Sequence, residues 1–238
     1  MQEDITNGSY SETSSDDMQK DMFWKAALLT IVILIIGIAI GIWIDSGRSE
    51  EIKSTLTENE ILLNDVRLQS LYYEGLLKES PELCSIAFNA NLDYNYRIYQ
   101  EGLKLERYEQ HNKFSSSLML ERRRYTLQQM QFWLNANKIK ELCNFNYTTL
   151  LHLYLYDTGN NSDVEMPQKL QSAVLLDLKE RCGTRLMLSP MAIDMNLTAV
   201  NMVVEAYNIS KTPAMIINSN VVLQGFSNLT KLEEYIKC

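Results

Sequence analysis

The sequence predicts an α/β protein in four parts. They are a disordered polar tail over 1–22, a single transmembrane helix over 23–44, a helical stalk and hairpin over 45–143, and a β-α-β-α-β-β-α domain over 144–238. Three observations predict it. Nineteen uncharged residues run without a break from Ala26 to Ile44. Apolar residues then recur at helical spacing as far as Leu142. Past Asn144 that spacing gives way to short apolar runs bounded by Asn, Gly and Ser turns.

Composition narrows the function classes. The chain has 238 residues, 46% hydrophobic and 22% charged, enough for one or two ordinary domains. Four prolines and nine glycines exclude a collagen-like or Pro/Gly-rich class. With 22 basic and 30 acidic residues the net charge is -8, so no nucleic-acid partner is expected. Only His111 and His152 are histidines, which leaves little for a His-based metal site or a Ser-His-Asp triad. No metal, cofactor or catalytic residue is assigned.

The first 22 residues are rich in Ser, Thr, Asp and Glu and hold too little apolar surface to fold. The apolar run that follows would span roughly 30 Å as a helix, with Trp24 and Trp43 near its ends. The 25 residues ahead of Ala26 carry six acids and two lysines, and no small-x-small cleavage site follows the run. An uncleaved anchor is expected, with membrane lipid as its partner. Lys20 and Lys25 balance Arg48 and Lys53, so basic residues do not orient it.

Cysteines and sequons do. Cys84, Cys143, Cys182 and Cys238 all follow the apolar run. Asn-x-Ser/Thr tripeptides occur at Asn146, Asn160, Asn196, Asn208 and Asn228, with one more at Asn7. Together they favour an oxidising exterior: a single-pass glycoprotein of the cell membrane, carboxy-terminal domain outside the cytoplasm. A cytosolic domain with four buried thiols is the alternative.

Ile52, Leu56, Asn59, Leu63, Val66, Ser70, Tyr73 and Leu77 form a 4,3 repeat. It fits a coiled coil or a helix packed on its own domain equally well. Gly37 and Gly41 are spaced for close helix approach, so a homodimer is one expectation. Pro81 opens a second helix to about Glu109, and a third runs from about Phe114 to Leu142. Leu118, Tyr125, Phe132 and Ile139 recur along the third. Arg122, Arg123 and Arg124 face three directions and read as a solvated patch. If the hairpin turns near Lys113, Cys84 and Cys143 lie at equal distances from the turn and within reach of one another.

In the last part, Thr149–Tyr156 reads as a strand, Pro167–Arg181 as a helix stopped by Gly183, and Thr184–Ile193 as containing a second strand. A helix over Leu197–Tyr207, strands at Ala214–Ile217 and Val221–Leu223, and a helix over Leu229–Lys237 complete it. Asp157, Asn161, Asp163 and Glu165 lack the ligand order of a calcium loop and read as a solvated acidic loop. His152 reads as a packed core residue.

That order, with Lys211-Thr212-Pro213-Ala214 opening a hairpin and Gly225 closing it, resembles the thioredoxin superfamily, and within it the DsbA-like proteins. The resemblance implies a cis-proline at Pro213 and a binding groove at Thr212 and Pro213. It also implies a Cys-x-x-Cys at the start of the helix after the first strand, but Asp157 to Gln168 contains no cysteine. Two helices of the family end at one sheet edge, which implies a Cys182–Cys238 bridge. A mobile Cys238 thiol is the alternative. The expected function is a membrane-anchored, extracytoplasmic thioredoxin-like module without a redox motif. It would act as a binding or scaffold module for an unidentified protein partner. The alternative is a thiol-disulfide oxidoreductase or isomerase using non-standard cysteines.

Overall fold

The computed structural model describes residues 24–40, 60–73, 75, 77, 80, 82–111 and 116–238. The chain divides into two units, Met1–Ile61 and Leu62–Cys238. In the first, residues 24–40 are helical, with their side chains exposed. This corrects the expected spanning helix. Among the described residues no helix is long and apolar enough to cross a membrane. The tail over 1–22, Gly41 and Trp43 lie outside the described residues, as does the stalk over 45–59.

The second unit begins in helix α1, residues 60–73. Val66, Tyr73 and Leu77 from the 4,3 repeat are buried, against the helices that follow rather than against a second chain. The coiled-coil expectation is thereby corrected: three of its positions are spent inside the unit. Helices α2 (Leu83–His111) and α3 (Ser116–Cys143) form an antiparallel pair. On α3 the seven-residue stripe packs inward, with Phe132 and Ile139 fully buried. Gly102 on α2 lets the Tyr125 ring come so close that a Cβ would meet its hydroxyl oxygen at 2.5 Å.

Strand β1 (Thr148–Tyr154) follows, then α4 (Ser162–Cys182), a 3-10 turn over Gly183–Arg185, β2 (Leu186–Ala192), α5 (Thr198–Ala206), β3 (Ala214–Ile217), β4 (Val221–Gln224) and α6 (Leu229–Glu233). The sheet order is β2-β1-β3-β4, with β1 and β2 parallel and the other pairs antiparallel. Strand alternation gives the sheet two apolar faces. Leu150, Met215 and Ile217 meet Leu175 and Leu178 of α4 and Leu232 of α6. Leu151, Leu153 and Ile216 meet Met130 and Trp133 of α3 and Val200 of α5.

Helix α4 starts five residues before Pro167, where the sequence placed its first turn. The Asn161 side chain accepts from the Asp163 N–H, and Asp163 and Glu165 lie in the first turn. A capped start with acids at the positive dipole end outweighs the bond that Pro167 forfeits inside the helix. At the other end, Lys179 is half-buried and its Nζ donates to the carbonyls of Gly183 and Leu186, at 2.8 and 2.6 Å. Burial lowers the Lys179 pKa.

Candidate functional site

The expected groove residues, Thr212 and Pro213, lie where β1 ends and β3 begins. Ala214 pairs with Leu153 on one side and Gln224 on the other, which puts Pro213 beside the last residue of β1. The Thr212–Pro213 peptide bond is cis. Pro213 is buried and Thr212 half-buried. The Gly225 N–H donates to the Pro213 carbonyl at 2.7 Å, and Gly225 has φ of 81°, a left-handed conformation that suits glycine. Phe226, next in the chain, is exposed.

The loop between β1 and α4 is closed from within. Gln168 accepts from the Leu155 N–H at 2.7 Å and donates to the Leu155 carbonyl at 3.1 Å. Asp194, just past β2, accepts from the N–H groups of Tyr156 and Asp157 at 2.9 and 2.8 Å. Asp157 accepts from Gly159 and Asn161 caps α4. Of the residues read as a solvated acidic loop, Asp157, Asn161 and Asp163 are exposed, Asp157 and Asn161 serve the turn and the cap, and Glu165 pairs with Lys169. No group of three or more His, Cys, Asp or Glu among the described residues could hold a metal ion.

Residues of the hairpin reach this edge, and sequence reasoning missed them. Arg122 pairs with Glu109, its Nε donating at 2.8 Å, and its guanidinium lies 4.9 Å from the Tyr156 ring centroid. The Tyr156 hydroxyl donates to Glu109 at 2.9 Å. Burial opposes the Arg122 charge, but the Glu109 carboxylate and neighbouring tyrosines outweigh it and the pKa is raised. Burial first, then Glu109, raises the pKa of Tyr156. Arg123 donates to the Asn196 carbonyl at 3.0 Å, and Arg124 pairs with Glu121. The three arginines are thus separately pinned, which corrects the solvated patch. No spacing rule ties Glu109 to Tyr156 across 47 residues.

The cysteines are joined in pairs away from this edge. Cys84 is bridged to Cys143 at the base of the hairpin, with Cα atoms 5.7 Å apart. Cys182, at the far end of α4, is bridged to Cys238 with Cα atoms 4.8 Å apart. No free cysteine remains. Of the sequons, Asn160 and Asn196 lie in the loops after β1 and β2. Asn228 caps α6 after β4, and the Asn208 carbonyl accepts from Gln224 at the end of β4. Asn146 lies before β1, at the opposite edge.

His152, at 2% exposure on the α4 face of β1, has no hydrogen-bond partner for Nε2. Burial lowers its pKa from 6.5 to about 4. Below pH 6.5 the unfolded chain takes up a proton that the folded chain refuses until about pH 4. Stability should therefore be intact above that window and fall by about 3 kcal/mol as pH drops through it. Urea unfolding of the wild type and of His152→Phe from pH 7 to 4 measures this, and the variant should show the flatter profile. Equal pH slopes would remove His152 as the cause.

No family model and no curated protein matches the chain. Among solved structures it is weakly similar to one described as a malarial protein, with 16% identity over 38% of this chain and 93% of that one, at a TM-score of 0.30. It is weakly similar too to chloroplastic thioredoxin z, with 15% identity over 40% of this chain and 80% of that one, also at a TM-score of 0.30.

Proposed function

We propose that the chain is a non-catalytic, thioredoxin-like binding module of an oxidising, extracytoplasmic compartment, and that the sheet edge at Thr212 and Pro213 holds an extended segment of a protein partner. One observation carries the reading: all four cysteines are committed to bridges away from that edge. Thiol-disulfide exchange needs an accessible sulfur whose thiolate is stabilised. The start of α4, where a helix dipole would stabilise one, presents Asn161, Asp163 and Glu165 instead. Those acids would raise the pKa of any thiol nearby. Cys182 lies at the dipole's negative end and is 4% exposed. Two bridges in a chain with no other cysteine support an oxidising compartment. An extended segment at a strand end gains backbone hydrogen bonds whatever its sequence.

The oxidoreductase reading makes the opposite demand, a reactive sulfur. Alkylation of the native protein should label no cysteine, and an insulin-reduction assay should show no turnover. Turnover that disappears in Cys182→Ser would overturn the non-catalytic reading. The partner is tested by a photo-crosslinking residue at Thr212, with one at Asn220 on the opposite edge as control. Protein adducts are expected from position 212 alone, and equal yields from both positions would remove the groove.

A further inference from the structure

Residues 144–238 hold ten asparagines and thirteen serines or threonines, and five Asn-x-Ser/Thr tripeptides. Random placement of those residues would produce about one such tripeptide, so an excess of this size calls for a reason. The structure then sorts the five. At Asn160, Asn196, Asn208 and Asn228 the asparagine is exposed, and so is the hydroxyl residue two places on: Ser162, Thr198, Ser210 and Thr230. At Asn146 the asparagine is exposed, but its Thr148 is 8% exposed inside β1. A transferase acting on the folded domain must engage the hydroxyl residue as well as the amide, so a Thr held in a central strand is out of its reach.

Placement sorts them the same way. The four with exposed partners gather where β1, β2 and β4 end, the edge that carries Pro213, and Asn146 alone lies at the other end of β1. We propose that this edge is an N-glycosylated rim, with glycans on Asn160, Asn196, Asn208 and Asn228 and none on Asn146. The donor would be a lipid-phosphate-linked oligosaccharide. Asparagine Nδ2 forms the bond to C1 of the first sugar and gives up a proton, while the C1–O bond to the lipid phosphate breaks and the phosphate leaves with the electron pair. At Asn228 the α6 cap uses Oδ1, which accepts from the Lys231 N–H at 3.0 Å, so Nδ2 is free to carry a sugar without loss of the cap. At Asn160, Asn196 and Asn208 the backbone is left-handed, with φ of 59°, 52° and 51°, as tight turns at the surface require. Both bridges agree with a compartment where such transfer occurs. The inference goes beyond the proposed partner and does not depend on it.

The test is glycopeptide mass spectrometry on the full chain purified from its native source. Sugar-sized mass increments on at least three of the four rim asparagines, with Asn146 unmodified, are expected. Fewer than three modified, or Asn146 occupied to the same degree, overturns the rim. Thr198→Ala adds a check on the rule itself: it should abolish the increment at Asn196 and leave the other three, and retention at Asn196 counts against it. Neither readout involves Thr212 or a partner, so the rim can fail while the groove stands, and the reverse.

Discussion

Replacing Cys84 and Cys143 together by serine is expected to cost the folded unit about 4 kcal/mol. The bridge spans 59 residues of sequence, so its loss frees a long loop in the unfolded chain and leaves the folded contacts in place. Those contacts are considerable at the hairpin base, where Tyr73, Leu77, Ala87 and Ile139 are buried around the two sulfurs. The serine pair should therefore still fold, with the urea midpoint moved down and the slope raised, because the opened loop exposes more surface in the unfolded chain. A loss under about 1 kcal/mol would mean that the unfolded chain already holds these segments together. The Cys182–Cys238 bridge spans 56 residues and should cost a similar amount. The two closed loops share no residue, so the double replacement should come near the sum.

Phe132→Ala is expected to destabilise by about 3–5 kcal/mol. Its ring is 1% exposed and lies among Val66 of α1, Tyr94 and Ile98 of α2, Tyr147 before β1 and Met187 of β2. It therefore joins the helical hairpin to the sheet, and no single neighbour can fill the space it would leave. Leu134, two residues on, is 47% exposed, and Leu134→Ala should change stability by no more than about 0.5 kcal/mol. Urea unfolding of both variants tests the pair. Equal losses would mean that the stripe on α3 does not pack as described.

The parts of this fold that the sequence discloses are those set by local chemistry. Strand β1 is a run of apolar and aromatic residues, and the β3–β4 turn falls on Asn218 and Ser219, both at positive φ. Asn218 also accepts from the Thr149 N–H and from Lys140, partners 69 and 78 residues away that no local pattern announces. The start of α4 went astray because Pro167 is a strong local signal and the Asn161 cap is a weaker one. The 4,3 repeat of α1 was ambiguous for a different reason: an apolar stripe records that a helix face is covered, not by what. At the candidate edge, Thr212 and Pro213 were legible as a dipeptide. Glu109, Arg122, Tyr156 and Asp194 were not, because their meeting depends on how the hairpin lies across the loops.

The two bridges have a consequence for a chain that meets proteases. They close two covalent rings, Cys84 to Cys143 and Cys182 to Cys238. A peptide bond cut inside either ring releases nothing, because the new ends remain tied through sulfur. Between the rings the backbone is a single thread, which faces solvent at Asn144 and Asn146 before β1 and again in the turn after β1, at Gly159 and Asn160. A cut in that turn would leave β1 covalently joined to the hairpin, and β2, β3 and β4 to the other ring. Only noncovalent contacts, from β1 to β2 and β3 and from α3 to β2 and α5, would then hold the halves together. That turn and the short link before β1 are the two loops whose integrity keeps the two rings one molecule.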